Sequence, residues 1–84
     1  MKKSTQIALE KAVDILGGQT DLAKAVNEHL PEDEKITQRN VWWWLNRSLK
    51  ASSHCAIPIE IATNNAVNRH ELRPDVFGPK PTTA

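Results

Sequence analysis

The chain has 84 residues, a formal net charge of +1 and one cysteine, enough for one small domain with no internal disulfide. No apolar run is long enough to span a bilayer, and the first residues lack the apolar stretch of a secretory signal, so we expect a cytoplasmic protein that makes no membrane contact. No paired acids, activated nucleophile or phosphate-binding glycine loop is evident. We therefore expect neither an enzyme nor a bound cofactor.

The charges are unevenly distributed along the chain. Residues 35–59 contain no Asp or Glu, and they carry the basic side chains Lys35, Arg39, Arg47 and Lys50 together with His54. The acids lie mainly before this window, at Glu28, Glu32, Asp33 and Glu34. A nearly neutral protein with one acid-free basic stretch can still present a local positive face.

Apolar residues at helical spacing predict five short helices. They cover residues 5–16, 19–29, 37–46, 52–63 and 69–73. Ser4 or Thr5 can cap the first helix, and Gly17-Gly18 ends it. Pro31 stops the second, so residues 30–35 form a polar, acidic loop.

The C-terminal half carries weaker signals. Pro58 predicts a kink or a late start in the fourth helix. Ala66-Val67 suggests a short edge strand, and Asn68 with Glu71 three residues later predicts a capping box for the fifth helix. Pro74 should stop that helix. Residues 1–77 then form the domain, and residues 78–84 form a disordered tail.

Buried positions follow from the same spacing. Leu22, Ala25 and Val26 share one face of the second helix, while the small Ala23 allows close helix packing. In the third helix Thr37 is the predicted N-cap, and Val41, Trp44 and Leu45 form the predicted buried stripe. That stripe leaves Gln38, Arg39, Trp42 and Trp43 facing outward.

The second and third predicted helices have the layout of a helix-turn-helix unit, which places a short helix in the major groove of double-stranded DNA. The candidate base contacts are Gln38, Arg39, Asn40, Trp42 and Trp43. The candidate phosphate contacts are Gln19, Thr20, Lys24, Thr37, Asn46, Arg47 and Lys50. Two alternatives stay open: a polar helix face that is merely solvated, and a Trp42 that meets a partner chain or the fourth helix.

Other features favour structural roles. His29 and His70 fit no standard zinc spacing, so no metal is expected. Cys55 beside His54 is predicted to be a buried structural thiol, because adjacent helical side chains point apart. In the last segment Leu72, Val76 and Phe77 should close the core while Arg69 and Arg73 pair with acids of the first helix. The alternative is that this segment forms a dimer surface.

Three stretches together resemble a known family. Residues 17–26 resemble the second helix of phage Cro and repressor proteins, and residues 37–45 resemble their recognition helix. The closing stretch, residues 59–63 and 67–77 with Arg-His-Glu-Leu-Arg-Pro-Asp, is similar to the end of the Cro-like YdaS family. This is a prophage group described as antitoxins, and the resemblance covers nearly all of residues 6–77.

The resemblance implies an all-α, lambda-repressor-like helix-turn-helix bundle of four to five short helices. It also implies a transcriptional repressor that binds an operator near its own gene as a homodimer or higher homo-oligomer. The family's base-contacting positions fall on Gln38, Arg39 and Trp43, and its phosphate-anchoring position falls on Gln19. The alternative is an antitoxin-type module that neutralises a toxin protein.

Two departures from the family stand out. Residues 27–35 replace a turn that is normally about three residues long. Because DNA phosphates repel the acids of this stretch, it should point away from DNA or meet a basic partner. Trp42 and Trp43 also stand where small or polar residues are usual, which leaves the target sequence open.

Overall fold

In a computed structural model, the structure describes residues 2–78, and this part of the chain is all-helical, with no strand. It contains six α-helices, one or two more than the resemblance implies, together with a 3₁₀ turn at Glu32–Glu34 and a π-helical turn at Trp44–Ser48. The helices are α1 Ser4–Leu16, α2 Gln19–Asn27, α3 Gln38–Trp43, α4 Ser53–Ala62, α5 Arg69–Leu72 and α6 Pro74–Phe77. Among these residues, no helix is both long and apolar enough to cross a membrane.

The end of α1 confirms the predicted stop at the glycine pair. Gly17 has the left-handed φ of 99° that glycine adopts without strain, and the amides of Gly17 and Gly18 both donate to the carbonyl of Val13. The predicted Ser4 or Thr5 cap is wrong, because Lys3 is the N-cap and no side chain caps the helix. The chain then turns directly into α2.

The packing of α2 corrects two predictions. The helix ends at Asn27, two residues before the predicted boundary of 29. Leu22 and Val26 are fully buried as predicted, but Ala23 is the buried alanine and Ala25 is only half-buried. The small Ala23 therefore faces the core itself.

In the C-terminal half, proline behaves differently from the prediction. α4 runs through Pro58 to Ala62 without a break, with Pro58 itself buried. Pro74 does not only stop α5, since it is the first residue of α6, where a missing N–H costs no helical hydrogen bond. Asn68 supplies its half of the predicted capping box of α5, because its Oδ1 accepts from the Glu71 amide at 2.9 Å.

The predicted strand at Ala66-Val67 is wrong. Val67 is fully buried, and its amide donates to the hydroxyl of Thr63 at 3.2 Å while its carbonyl accepts from that hydroxyl at 3.3 Å. One buried threonine thus satisfies the backbone groups that a strand partner would otherwise have to pair.

The core draws on every long helix. Its largest fully buried side chains are Leu9, Leu22, Val26, Val41, Cys55, Ile59, Val67 and Leu72. Phe77 packs partly buried against this cluster, as predicted for the closing segment. Val76 does not, because 52% of it is exposed. The predicted disordered tail, apart from Gly78, lies outside the described residues.

Candidate nucleic-acid interface

The first turn of α3 is fixed by its own polar residues. Thr37 is the N-cap as predicted, and Asn40 Oδ1 accepts from the Thr37 amide at 2.9 Å and from its hydroxyl at 3.2 Å. This capping arrangement defines where the helix begins. It also gives Asn40 a structural task in addition to its predicted base contact.

The burial pattern of α3 follows the predicted stripe. Val41 is fully buried, Trp44 is 5% exposed and Leu45 is half-buried against the core. The four residues predicted to face outward are all exposed, and we call them the exposed α3 face: Gln38, Arg39, Trp42 and Trp43. Of the three consecutive tryptophans, only Trp44 is in the core, while Trp42 and Trp43 are 42% and 54% exposed.

Gln38 makes a side-chain contact with α2. Its Nε2 donates a hydrogen bond to Oε1 of Gln19, the first residue of α2. Two residues predicted for different tasks, a base contact and a phosphate contact, therefore touch each other. Sequence spacing alone gave no sign of this pair.

A second row of side chains runs beside Gln38. Arg39, Trp43 and Arg47 follow each other at intervals of four residues, which aligns them along one side of a helix. The guanidinium carbon of Arg47 lies 5.8 Å from the centre of the Trp43 ring, a cation–π distance. This contact orients the indole and leaves a cation at its side.

The remaining predicted phosphate contacts are all exposed. Thr20 and Lys24 are exposed one turn apart on α2. Asn46 is exposed and donates from Nδ2 to the Trp42 carbonyl at 2.9 Å, and Lys50 Nζ lies 3.6 Å from Asp75 Oδ2. The structure therefore brings Gln19 of α2 against Gln38 of α3, and it places Lys50 in one cleft with Trp43. Their contacts with DNA stay predictions.

Asn27 holds the long connection between α2 and α3. Its Nδ2 donates to the carbonyl of Ile36 and its Oδ1 accepts from the Ile36 amide, both at 2.8 Å. This paired bond closes residues 28–35 into an exposed loop and lets α2 and α3 keep close contact despite it. The sequence prediction missed Asn27, because its partner is nine residues away and carries no polar side chain.

The loop also neutralises part of the predicted basic stretch. Lys35 Nζ lies 2.8 Å from Glu32 Oε2. The hydrogen bond from Lys35, helped by its charge, holds the pKa of Glu32 below its ordinary value. Lys35 therefore belongs to the acidic loop rather than to the exposed α3 face.

Two acids of α1 lie beside the candidate site. Glu10 and Asp14 line an open cleft together with Gln19 and Asn46. Lys2 Nζ contacts both carboxylate oxygens of Glu10, at 2.9 and 2.8 Å. Residues 35–59 contain no acid, but Glu10 and Asp14 of α1 lie beside them in the folded chain. The positive part of the surface is therefore the part around Arg39, away from this cleft.

Cys55 is fully buried, as predicted, but the argument that it points away from His54 is wrong. Its Sγ lies 3.5 Å from Nε2 of His54. Burial raises the pKa of the thiol to about 12, with a smaller contribution from the charge of Glu34, so the reactive thiolate is disfavoured. Within residues 2–78, no group of three or more His, Cys, Asp or Glu side chains could hold a metal ion.

The comparisons with known proteins bear on the family. The family model described as "Bacterial toxin YdaS" matches residues 9–81. This chain belongs to the YdaS family. No curated protein and no solved structure matches it. The YdaS description names a toxin, whereas the sequence analysis gave an antitoxin as the alternative to a repressor.

Proposed function

We propose that this YdaS-family chain is a sequence-specific DNA-binding repressor of the Cro type that acts on an operator near its own gene. The observation that carries the proposal is the exposed α3 face, whose first residue, Gln38, is held by Gln19 at the start of α2. A short helix backed by a scaffold and exposing Gln and Arg side chains has the form that enters a major groove.

The chemistry of the face suits base recognition. A glutamine carboxamide can pair with N6 and N7 of adenine, and an arginine guanidinium with O6 and N7 of guanine. Both side chains stand in the first turn of α3, the part of a recognition helix that contacts base edges. The indole of Trp43, oriented by Arg47, offers an apolar surface to a thymine methyl group.

Phosphate contacts would flank these base contacts. The amides at the start of α2 favour an anion, and Gln19, Thr20 and Lys24 lie in its first two turns. Thr37, Asn46, Arg47 and Lys50 lie at the start of α3 or beyond its end. Such contacts fix the register of a protein on DNA without specifying sequence. A homodimer would then place two copies of α3 in half-sites about 34 Å apart.

Footprinting tests the proposal on the DNA upstream of the chain's own gene. Wild-type protein should protect a discrete segment, and Arg39→Ala should lose that protection. Lys11→Ala is the matched control, because it removes an exposed cation from the side of α1 that borders α5. A protected segment that is identical for wild type and Arg39→Ala would contradict the proposed role of α3.

A toxin–antitoxin role is the second candidate function, favoured by the description of the family and by exposed Trp42. In this alternative Trp42 contacts a protein partner instead of DNA. Expression in a host that lacks the gene separates the two. Growth arrest that is lost in Trp42→Ala but kept in Arg39→Ala supports a protein target, and arrest lost in Arg39→Ala supports action through DNA.

A further inference from the structure

After α3 the chain passes through an irregular segment, residues 44–51, which is held by hydrogen bonds from other parts of the fold. Five residues of π-helical turn, Trp44–Ser48, follow α3, and Leu49 then adopts a left-handed φ of 62°. A non-glycine residue in this region is unfavourable unless its surroundings hold it. Arg47 and Lys50, two predicted phosphate contacts, stand on this segment.

Three side chains from other parts of the fold bind the carbonyls of the segment. Gln6 Nε2 donates to Leu45 O at 3.3 Å, and Thr5 Oγ1 donates to Leu49 O at 2.7 Å. Arg73 Nη1 donates to Ala51 O at 3.0 Å. Because Arg73 is the one charged donor of the three, its hydrogen bond should be the strongest.

The rest of the Arg73 guanidinium is held by the next residue but one. Nε and Nη2 donate to the two carboxylate oxygens of Asp75 at 2.9 and 2.8 Å. The Arg73 side chain is only 14% exposed, so its position is fixed on two sides. Asp75 in turn lies 3.6 Å from Lys50 Nζ, which connects the pair to one of the predicted phosphate contacts.

We propose that Arg73 is a positioning residue for DNA binding, which fixes the segment after α3 through the Ala51 carbonyl and through Asp75 beside Lys50. The proposal rests on the proposed function. It gives the Arg-Pro-Asp end of the family signature a task at the DNA surface, whereas the sequence prediction paired Arg73 with acids of the first helix. The predicted pairing of Arg69 and Arg73 with acids of the first helix is wrong, since Arg73 binds Asp75 and Arg69 binds Glu60.

Arg69, one turn earlier, supplies a matched comparison. Its Nη2 binds Glu60 Oε2 at 2.9 Å, and its amide binds Glu60 Oε1 at 3.0 Å, which joins α5 to α4. Arg69 is thus also an arginine in a carboxylate pair near the C-terminus. It makes no hydrogen bond with residues 44–51, so its loss should affect stability without moving that segment.

The test compares Arg73→Lys with Arg69→Lys in the full chain, first without DNA. Arg73→Lys keeps the charge, but a lysine cannot donate to the Ala51 carbonyl and to both Asp75 oxygens at once. The amide hydrogens of residues 44–51 should therefore exchange about tenfold faster. Arg69→Lys should leave those rates unchanged. Equal rates in wild type and Arg73→Lys would overturn the proposal regardless of what the protein binds.

DNA binding is the second readout. Arg73→Lys should weaken binding to the protected segment about tenfold and leave affinity for unrelated duplex unchanged, because its charge is retained. If wild type shows no preferred duplex, the proposed function fails while the exchange rates still decide whether Arg73 holds the segment. Undiminished preference in Arg73→Lys overturns the positioning role.

Asp75→Asn keeps the experiment decisive if Arg73→Lys does not fold. This change leaves Arg73 in place and weakens only its paired hydrogen bonds with residue 75. The amide exchange rates of residues 44–51 should therefore rise by a smaller factor. Unchanged exchange in Asp75→Asn would likewise overturn the proposal.

Discussion

Gln38 Nε2 donates a hydrogen bond to Gln19 Oε1, and this contact joins the first residue of α3 to the first residue of α2. The two helix starts that a DNA duplex would meet are therefore linked before DNA is present. A side chain already held in place loses less conformational entropy on binding than a free one. We expect the pair to act as one unit.

A double-mutant cycle tests that unit. Gln19→Ala and Gln38→Ala should each weaken operator binding by about 1 kcal/mol, and the double variant should lose less than the sum by about 0.5–1 kcal/mol. The physical reason is that removing either carboxamide already frees the other. Operator titrations of the four proteins by fluorescence anisotropy measure the coupling.

Lys24 supplies the matched control cycle. It is exposed on α2 and has no hydrogen bond to Gln38 among the described residues, so Lys24→Ala and Gln38→Ala should add within about 0.5 kcal/mol. Additivity in the glutamine cycle as well would show that the Gln19–Gln38 contact is irrelevant to binding.

Trp44 and Trp43 should differ sharply in their effect on stability. Trp44 is almost fully buried, so Trp44→Ala should lower the free energy of unfolding by about 3–5 kcal/mol. Trp43→Ala should lower it by less than about 1 kcal/mol, because the ring is mostly exposed and loses chiefly its contact with Arg47. Urea unfolding followed by far-UV circular dichroism measures both; comparable losses would be inconsistent with this burial pattern.

Acid should weaken the fold in part through Glu60. Its hydrogen bonds and ion pair with Arg69 hold its pKa below the ordinary value, and desolvation only partly opposes this. A carboxyl with a lowered folded-state pKa stabilises above its unfolded pKa of about 4.3, and that contribution is lost as pH falls through the folded value. Urea unfolding at a series of pH values from about 6 down to about 2 should show the free energy of unfolding decreasing as the pH is lowered.

Glu60→Gln should flatten this acid dependence. Glu28→Gln is the matched control, because it makes the same change of charge in the exposed loop and leaves the Glu60–Arg69 contact intact. If Glu60→Gln retains the full acid slope of wild type, the Glu60–Arg69 pair does not contribute as the structure indicates.

Cys55 should resist alkylation in the folded protein. The thiol is fully buried and its pKa is raised to about 12, so near pH 8 almost none of it is thiolate. Iodoacetamide labelling followed by mass spectrometry should be slow in buffer and fast in urea. Rapid labelling of the native protein would contradict the burial of this side chain.

Local signals carried most of the helix predictions. Gly17 ends α1 and Thr37 begins α3 as predicted, because a left-handed glycine and a capping hydroxyl act within one turn. The spacing of Val41 and Trp44 likewise fixed which side of α3 is buried. These features depend on residues close together in sequence, so a single sequence contains them.

The contacts that shape the candidate site were less visible. Asn27 closes the acidic loop through Ile36, and Arg73 reaches Ala51 across 22 positions. Both bind backbone groups, which every residue has, so no residue type in the sequence indicates the partner. Pro74 was ambiguous for a different reason. A proline can follow the end of one helix or stand at the start of the next, and here it does both.

Selection of bound duplexes from a random pool tests the central claim most directly. Wild-type protein should enrich one sequence motif, with related half-sites about one helical turn apart if it binds as a dimer. Arg39→Ala should bind that motif more weakly by about 1–3 kcal/mol and tolerate other bases at one position. A pool that stays random with wild-type protein, or an identical motif and affinity with Arg39→Ala, would contradict the assignment of α3 as the DNA-recognition helix.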